Sequence, residues 1–174
     1  QKNFNVKHPL NDTWTLWVDT PETHKRQTDE WIKKLEKVAT FNTIEDFWIV
    51  YHAIPKANEM AISSNYHLFK EGVKPMWEDD FNVNGGKFVV SISKPRNPDN
   101  MAINAIWGRA LLLMIGATNE YQDDLAGIVF ASRKQQYRIS VWNADTADDD
   151  KKNFHQKWLQ DLIGDEHSLV YQPH

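Results

Sequence analysis

The 174-residue sequence predicts an α+β fold, one antiparallel sheet with helices packed on one of its faces. Three observations lead there. Short runs of alternating apolar and polar residues recur along the chain. Three other segments carry apolar residues at helical spacing. The connections between strand-like runs are mostly hairpin-like, without the regular strand–helix–strand alternation of a parallel sheet. No repeat, low-complexity tract or linker divides the sequence, so residues 1–174 read as a single domain.

The elements follow in order. Residues 1–12 read as an extended polar lead-in. Thr13–Val18 sets Trp14, Leu16 and Val18 against Thr15 and Trp17, a strand pattern. From Asp19 to Glu30 the chain is charged, with Pro21 as punctuation, and reads as an exposed loop. Ile32–Val38 reads as a strand, although its lysines leave a helix open. Thr43 and Asp46 have capping-box spacing ahead of Phe47, Trp48 and Tyr51, which predicts a short helix. Residues 55–64 are loop-like, Tyr66–Phe69 forms a short strand, and Gly72–Asp80 is a second loop. Gly85-Gly86 turns the chain into a strand at Lys87–Ser93, with Phe88, Val90 and Ile92 inward. After the breaker segment from Pro95 to Asn100, Ile103, Trp107, Ala110, Leu111 and Met114 mark a helix over Ala102–Ile115, and Gly116 suits its C′ position. Leu125–Ser132 and Tyr137–Trp142 read as a hairpin joined by a basic turn. From Asp145 onward the pattern is helical, with Phe154, Trp158 and Leu162 on one face and Gly164 as the stop. Ser168–Tyr171 reads as a last strand.

Composition narrows the function. The absence of cysteine removes disulfides and thiolate metal sites and fits a reducing compartment, so a cytoplasmic location is expected. No run approaches the ~20 apolar residues of a membrane span, and no secretory signal pattern opens the chain. The net charge of −4 argues against coating long nucleic acids, which calls for a strongly basic face. It leaves room for reading one terminal nucleotide with a local basic cluster. Tryptophan is over-represented at eight copies, more than a bulky core alone accounts for.

Several common chemistries fail on inspection. Gly85-Gly86 lacks the Gly-Lys-Ser/Thr ending of a phosphate loop. The seven histidines form no His-Glu-x-x-His pair, and no Gly-x-Ser-x-Gly elbow occurs. Asp148–Asp150 suits a helix start, where acids favour the dipole, better than a metal site. Glu78-Asp79-Asp80 is sequential and does not converge on a metal. No enzyme activity, metal or cofactor is expected.

What the sequence does carry is a series of landmarks. These are His8-Pro9-Leu10, Trp14-Thr15-Leu16-Trp17, Trp31, Ile44-Glu45-Asp46-Phe47-Trp48, Tyr66-His67-Leu68-Phe69-Lys70, Pro75-Met76-Trp77-Glu78-Asp79 and Gly85-Gly86-Lys87. Trp107 before the Leu111–Gly116 helix end, Arg133, Ile139-Ser140-Val141-Trp142 and Tyr171-Gln172-Pro173-His174 complete it. In this order and spacing the chain resembles the translation initiation factor 4E family, which binds the 5′ cap of mRNA, over roughly residues 8–173. The resemblance implies a curved antiparallel sheet of about eight strands, with three helices on the convex face and the cap on the concave face.

The residues suit that chemistry. N7-methylation gives guanine a positive charge, and an electron-poor planar cation is attracted to indole faces. By resemblance, Trp31 and Trp77 sandwich the base; both fall in loops with charged or polar neighbours. Stacking tolerates any base, at about 1–3 kcal/mol each. Glu78 would therefore identify guanine by accepting from N1–H and N2–H₂, as a carboxylate suits two parallel donors. By resemblance the Trp77 backbone N–H meets guanine O6, and Trp142 closes the pocket near the methyl group. A core position for Trp142 stays open, since it ends an apolar strand. Arg133, Lys134 and Arg138 cluster at the 131–138 turn and suit the phosphates; Arg133 and Arg138 align with the family's phosphate-binding positions. Gln135 stands where the family often has another lysine.

The resemblance also implies a partner surface on the convex side, made of His8, Pro9, Ile44, Trp48, Gly108, Arg109, Leu112 and Gly116. There a helix of a scaffold factor 4G-like protein, or of a repressor, would dock its apolar side. The family commonly has a larger apolar residue at Gly108 and an acid at Arg109. Phe88 stands where it usually has tryptophan, at an expected core position.

Overall fold

The computed structural model describes residues 5–174. Residues 1–4 of the expected lead-in lie outside that range. In chain order the elements are β1 (Pro9–Asp19), α1 (Pro21–His24), β2 (Glu36–Thr43), α2 (Ile44–Ala53), β3 (Ser64–Lys70), β4 (Gly86–Ser93), α3 (Ala102–Ile115), β5 (Leu125–Ser132), β6 (Gln136–Asn143), α4 (Asp149–Ile163) and β7 (Leu169–Pro173). The strands form one antiparallel sheet in the order β2-β1-β3-β5-β6-β4-β7.

Alternation along each strand separates the two faces of this sheet. Leu16, Leu68, Ile128, Val141 and Phe88 occupy one register row, and all five are buried. They share an apolar cluster with Phe47 of α2, Trp107 and Leu111 of α3, and Leu159 of α4. The three long helices therefore cover the same face. Each of these side chains contributes roughly 1.5–3 kcal/mol by leaving water.

The helix ends follow local chemistry. The Thr43 hydroxyl accepts from Asp46 N–H at 3.2 Å and starts α2. The Asp148 carboxylate accepts from Lys151 N–H at 3.0 Å and starts α4, with Asp149 and Asp150 in its first turn. The acidic run is thus a helix start. Gly164 stops α4 with φ at +83°, a conformation that disfavours side chains.

The structure departs from the sequence reading in six places. Among the described residues the sheet has seven strands, where about eight were expected. Residues 9–12 of the expected 1–12 lead-in belong to β1. The segment 32–38 is a 3₁₀ turn at Trp31–Lys34 followed by the start of β2. The charged 19–30 stretch contains the short helix α1 and the fully buried Asp19. Gly116 is right-handed at φ −74°, and the left-handed residue after α3 is Ala117 at φ 51°. On α4 the buried stripe is His155, Leu159 and Ile163, with Phe154, Trp158 and Leu162 beside it and only partly covered. A histidine in the stripe hid it from an apolar count; His155 is satisfied by Asp124 at 2.8 Å.

Candidate nucleotide-binding cleft

The sheet face opposite the core carries a cleft, and strand register determines what lines it. Three neighbouring rows cross this face: Asp19–Asn65–Ala131–Arg138–Ser91, Trp17–His67–Val129–Ser140–Val89 and Thr15–Phe69–Gly127–Trp142–Lys87. Small or short side chains in the middle of the rows leave space above them. The resulting cleft holds about 410 Å³ and is lined by Trp31, Trp77, Glu78, Arg133, Arg138 and Trp142, together with Asn65, His67, Met76 and Lys87.

The two walls are indoles on separate loops. Trp31 opens the 3₁₀ turn ahead of β2 and is 40% exposed; Trp77 lies in the β3–β4 loop and is 52% exposed. A tryptophan this open gains little from burial, which separates both from Trp14 and Trp107, at 0% and 2%. Asn82, fully buried, holds the Trp77 loop from beneath: its amide donates to Lys74 O at 3.0 Å and Met76 O at 2.8 Å. The Asp79 carboxylate accepts from Lys74 N–H and Phe81 N–H, both at 3.0 Å. Glu78, exposed beside Trp77, is left to present its carboxylate in the cleft.

Trp142 forms the back, half-buried at the cleft and outside the apolar core cluster. The Phe69 ring meets it edge-on at 5.3 Å and the His174 ring lies 4.4 Å from it. Gly127 makes room for Phe69: a β-carbon there would stand 2.5 Å from both the Phe69 ring and Leu68 O.

Positive charge gathers at the other end. Arg133 donates to Asn65 Oδ1 at 2.9 Å and to Ser132 O at 3.0 Å. Burial, then repulsion from Arg138, lowers its basicity, with Asp19 opposing. The ammonium of Lys87 is likewise held below its usual range by burial and by Arg138. Cations crowded until they repel one another favour an anion between them. Lys134 is exposed at the hairpin turn and does not line the cleft. Lys87 was missed in the sequence, although its parity opposite Phe88 and Val90 already put it on the outer face. Among the described residues no group of three or more acids and histidines is arranged to hold a metal.

On the helical side the other predicted residues gather around α2 and α3. The His8 backbone N–H and ring both meet the Glu45 carboxylate, and Ile44 N–H donates to His8 O at 3.0 Å, which ties the Pro9 end of β1 to α2. Trp48 is 37% exposed and its ring stacks on His52 at 5.6 Å. Leu112, Arg109 and Gly116 are exposed along α3, and Ile44 is half-buried. Gly108 is half-buried under Tyr51, whose hydroxyl would lie 3.1 Å from a β-carbon added there.

Residues 9–174 match the family model described as Eukaryotic initiation factor 4E. The chain belongs to the eukaryotic initiation factor 4E family. The Candida albicans eukaryotic translation initiation factor 4E is 40% identical over 176 residues, covering 100% of this chain and 83% of that protein. The Dictyostelium discoideum eukaryotic translation initiation factor 4E is 32% identical, covering 97% of this chain and 65% of that protein. Among solved structures, C. elegans eIF4E-3 in complex with the 4E-binding protein Mextli and a cap analog superposes with a TM-score of 0.85 at 34% identity, covering 97% of this chain and 94% of that one. Within this initiation factor 4E family member, among the described residues, no helix is long and apolar enough to cross a membrane.

Proposed function

We propose that this chain binds the 7-methylguanosine cap of mRNA and, through a scaffold protein, recruits the translation initiation machinery. The observation that carries this reading is the placement of Trp31 and Trp77, two exposed indoles from separate loops, on one cleft with Glu78 beside them and Arg133, Arg138 and Lys87 at its end. A methylated guanine is a planar cation, so both rings attract it by stacking and by charge. Glu78 accepts from its Watson–Crick edge, and the Trp77 backbone N–H donates to O6. Trp142 bounds the methyl group, and the cations receive the phosphates. Lys134, outside the cleft, serves the phosphate chain only at longer range. The chain acts in the cytoplasm as a single cap-binding domain, by binding and without catalysis.

The surface around Trp48 and Leu112 receives the apolar side of a partner helix, with His8, Pro9, Ile44, Gly108, Arg109 and Gly116 around them. A cap-bound repressor that sequesters mRNA uses the same two surfaces. Arg109, exposed where the family commonly has an acid, favours partners with complementary charge and keeps this second reading in play. Co-purification of scaffold or of repressor separates the two.

Titration with 7-methyl-GTP and with GTP tests the cap reading. The methylated nucleotide binds at least tenfold tighter, about 1.4 kcal/mol; equal affinities overturn the proposal. For the partner surface, Trp48→Ala abolishes binding of a scaffold-derived helical peptide in calorimetry. Unchanged peptide affinity would sink that assignment.

A further inference from the structure

We propose that Asp19 is a positioning residue for the cleft, a buried carboxylate that sets the Trp31 wall through His24 and the Arg133 guanidinium through Asn65. The inference rests on the cap-binding reading and adds the element that couples its base-stacking end to its phosphate end.

Asp19 ends β1 and is fully buried. Its Oδ2 accepts from His24 Nε2 at 2.5 Å and from Asn65 Nδ2 at 2.8 Å; its Oδ1 accepts from His67 Nε2 at 2.6 Å. Burial pushes this carboxyl up, but the His67 hydrogen bond and charge, joined by His24 and Asn65, leave it below the usual carboxylate range. An ionised carboxylate has only acceptors, so each imidazole must present its proton at Nε2.

Three arms leave this hub. The His24 ring lies 5.8 Å from the Trp31 ring, tilted by 33°. The Asn65 amide is polarised by the hub: its NH₂ donates to Asp19, which leaves Oδ1 to accept from Arg133 at 2.9 Å. With the carboxylate replaced by an amide, that orientation is no longer enforced, and Asn65 can turn its NH₂ toward the guanidinium. His67 lines the cleft floor, and its Nδ1 is buried without a protein partner. The Asn65 and His67 contacts span 46 and 48 residues of sequence and join β1 to β3, while the His24 contact spans five and ties the local 19–24 segment to the same carboxylate.

The test uses the full chain and two affinity ratios. The preference for 7-methyl-GTP over GTP reports the aromatic walls; the preference for 7-methyl-GTP over 7-methyl-GMP reports the phosphate cations. Asp19→Asn lowers both ratios by about fivefold, as expected for a disturbed buried hydrogen-bond pair. His24→Ala lowers only the first and Asn65→Ala only the second. Without ligand, the Trp31 indole N–H and Arg133 guanidinium NMR resonances both shift in Asp19→Asn, and one at a time in the single-arm variants. If Asp19→Asn fails to fold, the two single-arm variants carry the test. Ratios within twofold of wild type in folded variants, or the same pattern from His24→Ala and Asn65→Ala, overturn the proposal. A wild-type chain with no preference for the methylated base instead overturns the functional reading, and the ligand-free resonances still decide the hub.

Discussion

The two walls of the cleft present the same side chain on differently built supports. Trp77 stands on a loop fastened from inside by Asn82, at 0% exposure, and from the side by Asp79. Trp31 stands on a 3₁₀ turn whose own contacts are exposed: Lys33 with Glu30 at 2.6 Å, and Arg26 with Glu36 at 3.1 Å and Lys33 O at 3.0 Å. Exposed ion pairs are worth little, typically below about 1 kcal/mol. The Trp77 wall is therefore preformed by buried hydrogen bonds, and the Trp31 wall depends on the hub behind it. A preformed wall spares the ligand the ordering that the other wall requires.

The strongest way to break this comparison is to remove the preformed wall's ring. Trp77→Ala erases most of the preference for 7-methyl-GTP over GTP, a loss of about tenfold or more measured by calorimetry. Because the ring is 52% exposed, the unfolding free energy from denaturant melts holds to within about 0.5 kcal/mol of wild type. A large stability loss would mean that Trp77 is structural.

A smaller effect separates ring from support. Asn82→Ala leaves Lys74 O and Met76 O without their buried donor and lowers unfolding free energy by about 1–3 kcal/mol. Cap affinity falls with it even though no cleft-lining group is removed. Stability loss with full cap affinity would show that the Trp77 loop needs no fastening.

Acid sharpens the contrast at the other wall. The Asp19 carboxyl is held below its ordinary value, so its contribution to stability is complete above about pH 4 and is lost as pH falls through the lower folded value. The groups facing it are His24, His67 and Asn65, with Arg133 beyond Asn65. The stability difference between wild type and Asp19→Asn, read from denaturant melts, shrinks as pH falls below about pH 4. A difference that failed to shrink below about pH 4 would refute an ionised hub.

Much of this architecture was legible in the sequence where the periodic signal is strong. α3 falls on Ala102–Ile115 as its apolar spacing predicts, and β4 puts Phe88 and Val90 inside. β2 was obscured because it is an edge strand in which Phe41 alone is buried, so alternation is diluted by Glu36, Lys37 and other exposed residues. The cleft's indoles, acid and arginines were visible through family landmarks. Its supports were not. Asp19 reads as a loop acid because the partners that justify its burial, Asn65 and His67, lie on β3, and only the β1–β3 register brings them together. Asn82 carries no pattern at all; its role comes from two carbonyls that the loop turns inward.

The smallest effect is also the most direct check on the asymmetry. Arg26→Ala deletes the outer fastening of the Trp31 turn, a contact with side chains 43% and 58% exposed. It changes unfolding free energy by less than about 0.5 kcal/mol, and raising the salt concentration shrinks even that. Cap affinity stays within about twofold of wild type, while His24→Ala, acting from the buried side, reduces the preference for the methylated base. If Arg26→Ala weakened that preference as much as His24→Ala, the Trp31 wall would be held from outside, and the two walls would differ only in which surface contacts they use.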